Sequence, residues 1–392
     1  MSDFDKVIDR RNTYSLKWEV AENELPMWVA DMDFQTAPEI IEVLTERAKF
    51  GVFGYSIVPD EWYSAIINWW SKRHNFNIKK EWLQFCTGTV TAITCAVKRI
   101  TNIGDNVVVQ TPVYNIFFNS IENHGRHVFE NKLKYNNGEY SMDFNDLEEK
   151  LSNPLTTMMI LCNPQNPGGK IWSKEELKKI GELCNKYNVT VISDEVHCDL
   201  TEPGYEYVPF ASASEICGNL SITCISPSKT FNIAGLHSAA VVIPNLKLRN
   251  IMVRGLNSDE IAEPNIFAVD GVVAAYTKGE KWLDELRLYI SENKRIVNEF
   301  LKNELPEMTA AKSDATYLMW LDCHKIIGNT SELCRFIRKE NGLYLSNGLS
   351  YKGNGDNFMR MNVACPKSKV FEGLSRLKAG VTAYEKYIEK QC

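Results

Sequence analysis

Short apolar runs that stop at polar turns alternate along this chain with stretches of helical periodicity. Leu83-Gln84-Phe85-Cys86 is the first such run, and Thr87-Gly88-Thr89-Val90 then opens a helix that continues to Ile100. Asn106 to Gln110 is β-branched and long enough for a buried parallel strand, and it stops at Thr111-Pro112. Thr157 to Cys162 stops at Asn163-Pro164-Gln165-Asn166-Pro167-Gly168-Gly169, after which a Ser173/Glu176 capping box starts a helix ending near Tyr187. Val189 to Ser193 ends at Asp194-Glu195-Val196-His197, and Ile222 to Ile225 ends at Ser226-Pro227-Ser228-Lys229. Ala239 to Ile243 follows. Strands that alternate with helices predict a three-layer α/β fold around a mostly parallel sheet.

The two ends of the chain depart from this rhythm. Residues 1–44 form a poorly periodic arm, in which Pro26 to Phe34 surrounds Asp31 and Asp33 with bulky apolar side chains and reads as a buried loop. A helix starts at Pro38, and Gly51-Val52-Phe53-Gly54 marks a tight turn presenting Tyr55. The aromatic stripe from Trp62 to Arg73 has helical spacing and reads as core. Late in the chain, an amphipathic helix from Trp282 to Leu301 bridges to a second domain. That domain comprises a strand (Thr316 to Leu321), a helix (Thr330 to Lys339), a strand (Phe358 to Val363) and a final helix. The expected division is an arm and part of the small domain over 1–44, a large domain over 45–285 and a small domain over 286–392, the small α/β domain drawing on both termini.

Composition narrows the function. A 392-residue chain with 44% hydrophobic and 24% charged residues is an ordinary globular protein. Its net charge of −6 argues against a nucleic-acid or anionic-membrane surface. Eleven cysteines between Cys86 and Cys392 form no CxxC and no Cys/His cluster, so free thiols in a reducing compartment are expected. No apolar leader and no membrane-length segment is present in the sequence, and the expected location is cytoplasmic.

Ligands in such sheets sit at the carboxyl ends of the strands, and Tyr114, Asn166, Asp194 and Lys229 all fall there. A lysine at a strand mouth can form a Schiff base with a carbonyl, and Ser226 and Ser228 offer hydroxyls to an anion. Thr89 and Val90, at a helix N-terminus, suit a phosphate. In the last strand, alternation sets Phe358, Arg360 and Asn362 on one face, where Arg360 is placed to fork onto a carboxylate. The set fits pyridoxal 5′-phosphate chemistry. Lys229 would hold the cofactor and move protons at Cα, Asp194 would pair with the pyridine nitrogen, and Tyr114 would stack on the ring. Asn166 and His197 would bond the ring phenolate, while Thr89, Val90 and Ser226 would bond the phosphate.

Seven stretches carry a family likeness: Val29 to Phe34, Gly51 to Tyr55, Pro112 to Asn115, Cys162 to Lys170, Ser193 to His197, Ser226 to Asn232 and Arg360 to Pro366. Together they resemble fold-type I pyridoxal phosphate enzymes of the aminotransferase class I/II superfamily, and within it the MalY/PatB-like cystathionine β-lyase (C–S lyase) branch. The resemblance implies a homodimer with Tyr55 reaching the cofactor phosphate of the neighbouring subunit. It also implies substrate contacts from Arg360, Asn166, Ala30 and Asp31. Gly88 departs from the proline common before the phosphate turn, and His237 stands where many aminotransferases carry a phosphate-binding arginine. The second departure favours cleavage of cystathionine, cysteine or an S-substituted cysteine over transamination, the alternative activity. A third reading, a regulatory protein that binds the cofactor and a transcription factor, has no surface signature in the sequence.

Overall fold

The computed structural model describes residues 3–391. Its central sheet has seven strands, in the spatial order Leu83–Cys86, Ala239–Val242, Ser221–Ile225, Thr190–Asp194, Thr156–Cys162, Asn106–Thr111 and His127–Lys132. Ala239–Val242 runs antiparallel to both neighbours. The pairings from Ser221–Ile225 outward to His127–Lys132 are all parallel. A parallel strand needs helical crossovers on both faces, which is why the inner runs are apolar along most of their length. Val107, Val108 and Val109 are all fully buried, yet they face opposite layers. Val107 and Val109 pack with helices Thr89–Ile100 and Ile116–Glu122, while Val108 packs with helices Phe144–Leu151 and Lys174–Lys186. Each such side chain contributes about 1.5–3 kcal/mol by leaving water. The Ser173 capping box is present, its hydroxyl accepting from the Glu176 amide.

The smaller unit is a four-stranded antiparallel sheet, ordered Thr309–Ala310, Leu318–Asp322, Phe358–Asn362 and Ser346–Asn347. Helices Thr330–Asn341 and Lys367–Glu389 cover it. Both ends of the chain build this unit, because Leu25–Pro26 pairs in parallel with Leu343–Tyr344 and buries Leu25 and Met27 in its core. As the alternation predicts, Met359, Met361 and Val363 enter that core. Phe358 lies on the opposite face, stacked on Trp320 at 5.0 Å. Helix Glu280–Glu304 joins the units, and the expected boundary at 285/286 falls inside it. Among the described residues no helix is long and apolar enough to cross a membrane. The ten cysteines described are buried and unpaired.

Two features differ from the sequence reading. The strand expected from Thr316 begins at Leu318, because Thr316 has φ 68° and its amide donates to Leu200 O, 2.7 Å away. His127–Lys132 and the hairpin Lys134–Asn136/Glu139–Ser141 are strands with too many polar positions to register as apolar runs.

Candidate active site

Register brings the sheet's carboxyl ends level, with Cys162 beside Asp194 and Asp194 beside Cys224. Beyond Ile225 the chain turns tightly: Ser226 Oγ accepts from the Ser228 amide at 3.1 Å and donates to Ser238 O at 2.7 Å. This turn projects Lys229. The next residue, Thr230, donates to the buried Asp199 at 3.0 Å, and Asp199 also accepts from Trp69 at 3.0 Å and is bonded to His74 at 2.9 Å. Lys229 therefore springs from backbone fixed to the large unit's core. Tyr114 follows Asn106–Thr111 and is held edge-to-face by Phe117 at 5.7 Å.

The arm loop closes the site from above, pinned by side chains of both units. Trp28 O accepts from Arg360 Nη2 at 2.9 Å and Ser346 Oγ at 3.0 Å. Asn362 Nδ2 donates to Val29 O and Asp31 O, each at 2.6 Å. Ala30 O accepts from two groups at once, Lys229 Nζ at 2.7 Å and the Tyr317 hydroxyl at 2.9 Å. On the large-unit side, Asn232 accepts from the Met32 amide at 2.9 Å and donates to Met32 O and Phe34 O at 3.0 Å.

Between loop and sheet lies a cavity of about 740 Å³. Lys229, Asp194, Tyr114, Thr89, Val90, Asn166, His197, Ser226, Ser228, Arg360 and Ala30 all line it. Asp31 does not: its carboxylate turns to Arg10 at 2.7 Å and faces a separate shallow cleft. Tyr55 lies outside the cavity of its own chain and is fully exposed. The structure adds Ser238, Trp28 and Tyr351, for which the sequence offers no local signal, and places His237 there with φ 50°. Tyr317 acts one step behind, through Ala30 O.

Burial dominates the electrostatics. It pushes the Asp194 carboxyl up to about 6, against one backbone hydrogen bond from Val196 and the charge of Lys229. It pulls Lys229 below the ordinary lysine value, favouring the neutral amine. His197 is drawn down to about 3, chiefly by burial and then by Lys229 and Arg360, and is a neutral imidazole. Burial raises the Tyr114 phenol, which stays protonated.

The lining also contains polar atoms without partners: His197 Nδ1, Arg360 Nε and Ser238 Oγ are buried and unbonded. Buried polar groups are ordinarily satisfied, so three orphans around one cavity mark a place for a polar ligand. Arg360 is otherwise aimed by Asn166, to whose Oδ1 its Nη1 donates at 3.0 Å. At the opposite wall, the amides of Thr89, Val90 and Thr91 precede the first intrahelical bond, from Ala92 to Gly88 O, and suit an anion. An anion cradle, an under-bonded carboxylate and a low-affinity lysine amine are the donor set that a phosphorylated pyridine aldehyde requires.

Comparison with known proteins agrees. The family model for aminotransferase class I and II matches residues 23–377. Cystathionine β-lyase PatB of Bacillus subtilis is 43% identical, covering 97% of this chain and 100% of its own length. Protein MalY of Escherichia coli is 32% identical over 98% of this chain and 100% of its own. The crystal structure of cystalysin from Treponema denticola, which contains a pyridoxal 5′-phosphate cofactor, superposes with a TM-score of 0.95 at 33% identity, covering 98% and 100% of the two chains. The chain belongs to the aminotransferase class I and II family.

Proposed function

We propose that the protein is a pyridoxal phosphate-dependent C–S β-lyase that converts cystathionine, cysteine or S-substituted cysteines to a thiol, pyruvate and ammonia. One observation carries the reading: a single cavity gathers a neutral-leaning Lys229, the under-bonded Asp194 and Arg360 with its Nε free. The likeness to PatB favours the lyase over the aminotransferase within the family. His237, where many aminotransferases have arginine, points the same way.

Pyridoxal phosphate supplies an aldehyde for the substrate's amino group and a ring that accepts electrons released at Cα. The residues of this chain do the rest. Thr89, Val90, Ser228 and Ser238, which line one cavity with Asp194, would hold the phosphate, and Asp194 would pair with the ring nitrogen and keep it protonated by charge. Ser226, whose hydroxyl proton is spent on Ser238 O, serves chiefly by shaping that turn. Tyr114 would cover the ring, and Asn166 and the neutral His197 would bond its phenolic oxygen. Arg360 receives the substrate carboxylate and thereby sets the Cα–H bond toward Lys229. Lys229 Nζ takes that proton, the β-carbon–sulfur bond breaks, and the released 2-aminoacrylate hydrolyses to pyruvate and ammonia. Ala30 O, with Tyr317 donating to it, gives the freed lysine amine a fixed resting place.

The exposed segment Phe50, Val52, Phe53, Tyr55 and Ile57 supports a homodimer in which Tyr55 enters the second copy's site. Buried unpaired cysteines suit a reducing cytoplasm.

The deciding experiment is incubation with L-cystathionine or S-propyl-L-cysteine without any keto acid. Pyruvate and free thiol are expected in equal amounts. Product that forms only when a keto acid is added would make the protein an aminotransferase.

A further inference from the structure

The cavity is larger than the catalytic group needs, and it extends to the small unit. Its wall there is one face of helix Thr330–Asn341, presenting Cys334, Arg335 and Arg338, together with Tyr344. Arg338 is already committed: it donates to Glu24 at 2.6 and 3.2 Å, and its guanidinium lies 3.6 Å from the Tyr344 ring centroid. Tyr344 stacks in turn on Trp28 at 4.7 Å and 15°. Trp28 is the residue whose carbonyl Arg360 holds. This platform, a face-to-face stack of Trp28, Tyr344 and the Arg338 guanidinium whose charge Glu24 offsets, runs from the carboxylate clamp to the outer helix.

Arg335 stands beside this platform in a different state. It is exposed and lines the cavity, yet it has no ion pair and no hydrogen bond among the described residues. An arginine on an open helix face is ordinarily just a solvated charge. Here the helix face is the cavity wall. The only carboxylate among the described lining residues is Asp194, at the sheet edge. The outer chamber therefore carries an uncompensated positive charge.

We propose that Arg335 selects the S-substituent of the substrate, favouring thioethers that end in a carboxylate, with the Trp28–Tyr344 platform covering the intervening methylenes. This rests on the β-lyase reading and names its substrate class: cysteine thioethers with an anionic far end. L-cystathionine also offers Arg335 a far carboxylate, but it carries an ammonium beside it, so its far end has no net charge and its gain from Arg335 is smaller. A thioether ending only in an ammonium group meets no acid in the outer chamber and is disfavoured.

The test uses the holoenzyme and three substrates of similar size: S-(2-carboxyethyl)-, S-propyl- and S-(2-aminoethyl)-L-cysteine. For each, kcat/KM is read from pyruvate, and Kd from the change in the cofactor's visible absorbance. For a partly exposed ion pair, R335Q is expected to weaken the carboxyethyl compound about fivefold and R335E about 20-fold. R335E should improve the aminoethyl compound about fivefold by the same charge logic. S-propyl-L-cysteine should stay within about twofold, and added salt should shrink the native preference by screening. A carboxyethyl-to-aminoethyl ratio unchanged across native, R335Q and R335E, in both Kd and kcat/KM, would overturn the assignment. Absence of pyruvate from all three would sink the lyase reading instead, and the Kd ratios would still judge Arg335.

Discussion

Replacing Asp194 by Asn keeps the side chain's shape and its acceptor for the Val196 amide, but removes a charge buried at a cost. In the folded chain burial lifts this carboxyl from 3.8 to about 6. The folded state holds the proton more tightly than the unfolded one. Protonated Asp194 therefore contributes stability that is fully present below the unfolded value and lost as the pH rises through about 6. At about 1.4 kcal/mol per tenfold change in proton affinity, the displacement amounts to about 3 kcal/mol. That is a sizeable part of the roughly 5–15 kcal/mol that holds a typical protein folded. The cofactor-free Asp194→Asn protein should accordingly be more stable than the cofactor-free native protein at pH 7.5, with the difference vanishing below pH 4. Urea unfolding midpoints across this range measure it. Glu195, which burial pushes to about 7, titrates in both proteins and largely cancels. Adding pyridoxal phosphate should reverse the ranking, because only the native carboxylate gains a cationic partner. Turnover of the loaded variant should fall by about two orders of magnitude or more, about 3 kcal/mol in the barrier. Parallel pH profiles for the two cofactor-free proteins would refute the electrostatic reasoning, and near-native turnover would refute the role.

Two other substitutions probe the site directly. Arg360→Ala removes a charge-assisted fork, and at roughly 3–4 kcal/mol kcat/KM should fall by about 10²–10³, with Arg360→Lys recovering only part of the loss; a loss under about threefold would exclude the clamp. Borohydride treatment of the holoenzyme should fix the cofactor on Lys229 alone, and Lys229→Ala should abolish the link; label on another lysine in a peptide map would reject the assignment.

Much of the fold is legible in the sequence because parallel strands buried on both faces must be continuously apolar. The runs at 106–110, 157–162 and 222–225 sit within a residue or so of the observed strands. The same logic misses His127–Lys132, an edge strand that turns His127 and Lys132 toward water and buries the polar Asn131. Site residues at strand ends are legible too, since topology alone sends Lys229, Asp194 and Asn166 to one edge. The groups that finish the site are not. Ala30 acts through its carbonyl, which any residue would supply, and Tyr317 through a hydroxyl aimed by a loop 287 positions away. Ser238 resembles any serine until the turn at Ser226 folds back on it. Asp31 shows the converse, an acid in a matching motif whose carboxylate is spent on Arg10.

The pinned arm loop also fixes when the molecule becomes a catalyst. Trp28, Val29 and Ala30 are made before every residue that holds their carbonyls. Their carbonyls accept from Lys229, Tyr317, Ser346, Arg360 and Asn362. Three of those five donors lie 318 or more positions later in the chain. A nascent chain can close its central sheet while the roof of the cavity still hangs unfastened. N-terminal domains generally fold first during synthesis, but here an early segment is secured by residues made much later. Chemistry on amino acids therefore begins only once Arg360 and Asn362 have been made, and a product truncated before Arg360 would fold much of its large unit yet leave free amino acids untouched.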